Sequence, residues 1–362
     1  MIYYVLFFTI LLFAVLLDVF KTKQLNTYEK QIFVLLSFFL ILMSGLRLKT
    51  GYDFESYKQI FESVKQSSWN SLFSSGWGLV VEPGYMILNY LCKWMPFQLY
   101  IFLISTVSVF IKVLFIYKIS NNLIMCLFIY YSMYFCLYDM GVIRQGFAIG
   151  LLLWAFYYYI EGKRGKTAIY IILASFFHSS SIIFFSIYLI KDKVYKFRWY
   201  AVTLILIFSF GGIIEEIIYK SNITFIQNKY WYYINQLADN DESIVNSIIK
   251  RLIVFLLLLI IVDWNAIKRS EKKYKIALNV YFASIIISIM FYMLTIIGGR
   301  GTGALQFMQV FLLPIIADKR YIRNNLNKAR LIGILIIIVL SFYSLYTVIN
   351  SHSYLPYHSI LS

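Results

Sequence analysis

The chain has 362 residues, of which 61% are hydrophobic and 14% charged, with 33 Lys and Arg against 17 Asp and Glu. A soluble domain is roughly half apolar, so this composition excludes a soluble globular enzyme and predicts a polytopic, all-α membrane helix bundle. The excess of cations falls in loops between apolar runs, which assigns it to topology and to a lipid bilayer rather than to nucleic acid.

Met1 to Phe20 is apolar, and the first cation is Lys21. A cleaved signal peptide would begin with positive charge, so this run reads as a first transmembrane helix. Spanning takes about 17–25 apolar residues. Runs that meet this or nearly so are Ile2–Phe20, Gln31–Leu46, Phe97–Lys118, Asn122–Asp139, Val142–Ile160, Trp199–Tyr219, Asn246–Trp264, Tyr274–Ile297, Thr302–Ala317 and Leu331–Asn350. About ten transmembrane helices are therefore expected in a single domain over 1–362. Between the second and third runs lies a long outer loop, Arg47–Lys93, rich in Trp, Tyr, Ser and acids, with an amphipathic stretch at Gly84–Lys93. A second outer loop, Lys220–Ser243, carries Trp231, Tyr232, Tyr233 and an acidic patch at Asp239–Glu242. Rings interleaved with carboxylates suit a carbohydrate surface; an interfacial aromatic belt is the competing reading. Cys92, Cys126 and Cys136 show no metal-ligand spacing and read as packing residues.

Segment Thr167–Ile190 is the ambiguous one. Well over half of the 33 cations fall in five loops, around Lys21, Lys163, Lys191, Lys268 and Lys319. The positive-inside rule places all five in the cytoplasm. A full crossing by 167–190 would separate the Lys163 and Lys191 clusters, whereas a re-entrant or broken segment with His178 near its tip keeps them together. Such backbone survives at membrane depth only inside protein or along a cavity.

An ionisable side chain at bilayer depth costs about 2.5–3.5 kcal/mol on insertion scales and marks function by default. The chain offers Arg47 and Asp53 in RLKTGYDFESY, Glu82 in EPGY, Arg144 in VIRQGFA, His178 in FFHSSS and Arg300 in GGRGTG. Arg144 opens a helix after a short outer turn, Asp139–Gly141, so its planar fork and the helix N-terminus can serve one anion. Arg300 lies among glycines that let backbone N–H groups approach a ligand, and Arg47 ends the second run at the same face. Three outer arginines could cradle a diphosphate; the competing reading of each is snorkelling to headgroups. Asp53, Glu82 and His178 are the candidates to take a proton. His352 and His358 fall in an exposed tail.

Taken in order, GYDFESYKQIF after Arg47, then EPGY, RQGFA, FHSSS and the late arginine resemble the EpsG family, a Wzy-like group of bacterial polysaccharide polymerases. The resemblance runs from about Gly45 to Pro314. It implies joining of undecaprenyl-diphosphate-linked oligosaccharide repeat units into capsule, O-antigen or exopolysaccharide at the outer face of the bacterial plasma membrane. A flippase and a chain-length regulator would be partners. It implies leaving-diphosphate stabilisation by Arg144 and Arg300 with Arg47 in support, substrate contacts from Gln145, Tyr52 and Tyr85, and a base chosen from Asp53, His178 and Glu82 in that order. No cofactor or metal is expected. Two other readings stay open: a flippase for the same lipid-linked sugar, which would need no base, and a membrane O-acyltransferase using His178.

Overall fold

Tyr3, Phe7, Ile10, Ala14 and Leu17 recur every three or four residues and are buried, so the first run puts one stripe against protein and leaves Val5, Phe8 and Leu12 exposed. A computed structural model describes residues 1–21, 27–74, 80–220, 241–267, 271–291, 298–323, 327–350 and 353–361, with the side chains of 210–219, 241–244, 300 and 327 outside that description. Of the aromatic and acidic loop residues expected as a carbohydrate surface, 231–233 and 239–240 lie outside the described residues, and the side chains of 241–242 lie outside them too.

The described chain is almost wholly helical. In order come α1 (Ile2–Ala14, continued by a π turn over Val15–Val19), α2 (Glu29–Gly45), β1 (Arg47–Leu48), α3 (Phe54–Gln66), α4 (Pro83–Cys92) and α5 (Phe97–Ile119). Then follow α6 (Leu123–Tyr130, continued by a π-helix over Tyr131–Gly141), α7 (Ile143–Ile160), α8 (Arg164–Phe177) and a 3-10 helix, Ser179–Leu189. The remainder is α9 (Phe197–Lys220), α10 (Asp241–Ile261), α11 (Lys272–Met290), α12 (Gly303–Gln306), α13 (Gln309–Leu312), α14 (Asn327–Ile349) and β2 (His358–Ser359). Among the described residues, five helical stretches are long and apolar enough to cross a membrane: Ile2–Val19, Phe97–Ile119, Leu123–Gly141, Lys272–Met290 and Lys328–Ile349. Helices also occupy the expected runs 31–46, 142–160, 199–219 and 246–264. The run Thr302–Ala317 is not one helix. It breaks into α12, α13 and a 3-10 turn over Leu313–Ala317, where Pro314 has no N–H to continue the ladder.

Two units pack separately, Met1–Ile182 with Ile334–Ser362, and Ile183–Gly333. In the first, the long outer segment is folded rather than looped. Phe54, Tyr57, Ile60, Phe61 and Val64 make a buried stripe on α3, opposite Glu55, Lys58, Glu62 and Lys65. That stripe shares a core with Tyr85 and Met86 of α4, Phe97 and Tyr100 of α5, and Ile143 of α7. Phe61 stacks on Tyr100 with ring centroids 4.8 Å apart.

The expected exposed tail is a strap. β2 pairs antiparallel with β1, Arg47 opposite Ser359. Gly51 N–H donates to the Ser353 carbonyl at 2.7 Å and Ile360 N–H to the Leu46 carbonyl at 3.0 Å. Tyr354 is fully buried, donates its hydroxyl to the Cys136 carbonyl at 3.0 Å, and its own carbonyl accepts from Tyr3 at 3.1 Å. His358 is exposed, as expected, and His352 lies outside the described residues.

The expected turn Asp139–Gly141 is also different: it closes the π-helix and is buried. Asp139 is drawn inward by a cation on α5. Lys112 Nζ donates to Asp139 Oδ1 at 2.7 Å and to Ser108 Oγ at 2.8 Å, Ser108 donates to the same carboxylate oxygen at 2.7 Å, and Tyr130 donates to Oδ2 at 2.6 Å. Both ionic side chains have 0% exposure.

In the second unit, the GGRGTG segment is tied to two helices. Arg251 of α10 donates through Nη1 to the Ser284 carbonyl at 3.1 Å, to Thr302 Oγ1 at 2.8 Å and to Ser288 Oγ. Ser288 and Thr302 in turn donate to the Gly298 carbonyl at 2.6 and 2.8 Å. The buried Arg251 was not distinguished within its apolar run, because a lone cation there reads as snorkelling unless its hydroxyl partners are known to meet it.

Candidate active site

The N-terminus of α4 and the hairpin of α7 and α8 bring three of the expected residues into one cluster in the first unit. Glu82 is the N-cap of α4, in extended backbone, with Pro83 pre-set for the first helical turn. Arg144 sits in the first turn of α7. His178 terminates α8 in extended backbone, at the joint with the 3-10 helix. Arg144 Nη1 forms an ion pair with Glu82 Oε2. The other oxygen, Oε1, lies 3.6 Å from His178 Nδ1 and accepts from the Ser179 backbone N–H at 3.3 Å. Side-chain exposures of 27% for Arg144, 14% for Glu82 and 19% for His178 leave the cluster partly open.

Asp53 and Tyr85 flank it. The Tyr57 hydroxyl donates to Asp53 Oδ2 at 3.3 Å, and the Arg144 guanidinium lies 5.9 Å from the centre of the buried Tyr85 ring. Burial drives the Tyr57 hydroxyl above the ordinary phenol range, with Asp53 adding to that shift and Arg144 opposing it. A chain of interacting groups therefore runs Asp53, Tyr57, Arg144, Glu82, His178. Tyr57 was missed in the sequence because an aromatic on a helical stripe reads as core. Among the described residues, Arg144 Nε and His178 Nε2 have no hydrogen-bond partner.

The two motif glycines explain why these elements come so close. A Cβ on Gly84 would stand 2.7 Å from the Phe176 carbonyl oxygen of α8, and one on Gly146 would collide with the Tyr138 carbonyl of the π-helix. Gly146→Ala is expected to destabilise the protein by about 2 kcal/mol or more, read as a lowered thermal midpoint in detergent. A midpoint equal to wild type would remove this packing role.

Burial pushes the Glu82 carboxyl up, but the His178 contact and the Arg144 charge outweigh it and hold the group down to about 2, below its ordinary 4.5. The stability this supplies is complete above about pH 4.5 and is lost as pH falls toward 2. Thermal midpoints of wild type and Glu82→Gln are expected to differ most above pH 4.5 and to converge under acid. A gap that widens on acidification would contradict the assignment.

The other expected site residues sit elsewhere. Arg47 is fully buried rather than snorkelling, donates to the Ser44 carbonyl and to Ser105 Oγ at 3.0 Å, and lies 5.9 Å from the Phe54 ring centre. Its Nε and Nη2 meet no partner among the described residues. Gln145 is buried. Tyr52 is exposed and packs edge-on against Tyr354 at 5.4 Å, on the strap. Arg300 opens a 3-10 turn in the second unit, and its side chain lies outside the described residues. Among the described residues, no three His, Cys, Asp or Glu are grouped as metal ligands are.

Among the described residues, five helices long and apolar enough to cross a membrane mark a membrane protein, and a partly open cluster of arginine, carboxylate and imidazole lies at the ends of three other helices, α4, α7 and α8. The model of the EpsG family matches residues 30–359, nearly the whole chain, and the protein belongs to that family, a Wzy-like polymerase type. Membership gives it a general role as a glycosyltransferase-like polymerase in polysaccharide biosynthesis. No curated protein and no solved structure matches the chain.

Proposed function

We propose that the protein polymerises undecaprenyl-diphosphate-linked oligosaccharide repeat units at the outer face of the bacterial plasma membrane, as a single polymerase body. The observation that carries this reading is the Arg144–Glu82–His178 cluster: a fork of cationic donors beside a carboxylate-oriented imidazole. The new glycosidic bond forms between the acceptor hydroxyl oxygen and the anomeric carbon of the growing chain. The bond from that carbon to the lipid diphosphate breaks, and the hydroxyl proton passes to a base. Arg144 binds the departing diphosphate, where charge builds up as the bond opens. Arg300 keeps the anion-binding role that its motif implies, on that motif alone.

The order of candidate bases changes. Glu82 is held as a carboxylate by Arg144 and has too low a proton affinity for general-base work near neutrality. His178 turns Nδ1 toward the Glu82 carboxylate at 3.6 Å; a neutral imidazole with its proton on that side would present the Nε2 lone pair to an acceptor hydroxyl. His178 therefore comes first and Asp53, engaged with Tyr57, second. The break at His178 suits a segment 167–190 that enters and leaves on one side. A flippase supplying substrate and a chain-length regulator would act with it.

The test is incubation of purified protein with a defined lipid-linked repeat. A ladder of products is expected, and His178→Gln should abolish it while leaving substrate binding intact. A ladder unchanged in His178→Gln would overturn the assignment of the base. Loss of acyl groups with normal chain length would favour the acyltransferase instead.

A further inference from the structure

A cavity of ≈ 510 Å³ opens within the second unit, lined by Leu189, Lys191, Lys193, Trp199, Phe282 and Ile286 among others. We infer that it binds an anionic phospholipid, with the headgroup phosphate on the two lysines and the start of an acyl chain along the apolar wall. Its volume lies within the range of small-molecule sites, about 300–1,000 Å³.

The cationic rim is built, not incidental. Asn279 of α11, a buried amide, donates from Nδ2 to the Lys191 carbonyl at 2.9 Å and to the Lys193 carbonyl at 2.8 Å. Its Oδ1 accepts from the Tyr200 hydroxyl at 2.8 Å. One side chain from the helix wall therefore fixes the backbone of both lysines. Lys191 and Lys193 are exposed, and among the described residues neither forms an ion pair. From 191 to 198 the chain carries Lys191, Lys193, Lys196 and Arg198 against the single carboxylate Asp192.

Charge complementarity selects the occupant. A neutral lipid would leave the lysine pair unmatched, and a free anion would leave the apolar wall wet. Trp199 and Leu189 are 55% and 83% exposed beside the rim, which suits the headgroup level of a bilayer, where indole rings concentrate. Basic pockets between helices on the cationic side of a membrane protein are where acidic headgroups lodge.

The experiment is native mass spectrometry of the purified full-length protein, delipidated in detergent and titrated with dioleoylphosphatidylglycerol or dioleoylphosphatidylcholine. Phosphatidylglycerol is expected to be retained in preference. Lys191→Gln/Lys193→Gln should lower its affinity about thirty-fold, the combined effect of two lysines at a headgroup, and leave phosphatidylcholine unaffected. Lys163→Gln/Lys166→Gln removes the same charge from another loop and should change nothing. An unchanged midpoint of thermal unfolding confirms that each variant is folded. The inference is overturned by wild-type lipid retention in the Lys191/Lys193 variant or by equal loss in the control. It is equally overturned by displacement of the lipid with millimolar inorganic phosphate, or by a dimer in place of the lipid adduct. None of these outcomes depends on polymerase activity.

Discussion

Arg144→Ala is expected to leave single lipid-linked repeats and to cut polymer formation by about 10²–10³-fold, the usual loss when one preorganised donor to developing charge is removed. The effect should fall on the chemical step more than on substrate binding, because the diphosphate gains its leaving-group charge only as the glycosidic bond opens. Arg144→Lys keeps the cation but not the planar fork, and should recover part of the activity. Glu82→Gln separates two roles of the carboxylate: it frees the guanidinium and deprives His178 of its orienting partner. If His178 is the base, Glu82→Gln should lower the rate and shift its pH profile, whereas Arg144→Ala should lower the rate without shifting it. Full-length polymer from both Arg144→Ala and Arg300→Ala would sink the proposal.

The second large effect concerns stability. Lys112→Met removes the cation from a carboxylate with 0% exposure and is expected to cost about 3–5 kcal/mol, as breaking one side of a buried pair does. Ser108 and Tyr130 still hydrogen-bond Asp139, but neither brings a charge. Asp139→Asn keeps the shape but strands Lys112 as a buried cation, and should cost a similar amount. The double variant Lys112→Met/Asp139→Leu removes both ions and should recover most of the loss, because two desolvated charges are replaced by packing. Thermal unfolding midpoints in detergent measure all three. A Lys112→Met protein as stable as wild type would refute the buried pair. A double variant as unstable as the sum of Lys112→Met and Asp139→Leu, each measured alone, would show that the sites do not interact.

Much of this architecture was legible in the residues. Apolar run length alone placed α1, α5, α6, α11 and α14, since a helix that must satisfy its own backbone in lipid leaves a long continuous signal. What failed were the places where context overrides composition. Thr302–Ala317 has the apolarity of a span, yet it runs as short pieces, the last of them a 3-10 turn at Pro314. The outer segment 54–66 looked like loop because its charges dilute its apolarity, although the spacing of Phe54, Tyr57, Phe61 and Val64 carries the helical period.

The site was read in part for the same reason. Motif order identified Glu82, Arg144 and His178, and the fold brings Arg144 and the His178–Ser179 joint to Glu82 across 62 and, at Ser179, 97 positions of chain. Arg47 shows the limit. Its place at the end of a span suggested an exposed outer cation, but Ser105 and the returning tail enclose it. Lys112 and Arg251 were passed over inside apolar runs because a single cation in such a run says nothing of its partners. Only tertiary contact reveals that Asp139 and Thr302 meet them.

The strap has a consequence for biogenesis. The first unit is discontinuous in the chain, interrupted by the whole of the second before residues 334–362 complete it. At about 5–20 residues per second of synthesis, the ribosome spends on the order of ten to thirty seconds on that interruption. During that interval the β1 edge has no partner strand, and the Cys136 carbonyl still lacks the Tyr354 hydroxyl. Closure of this unit therefore lags its own first segments by the time taken to make the second: a newly inserted Arg47 waits at the membrane for residues 353–360 to arrive and close over it.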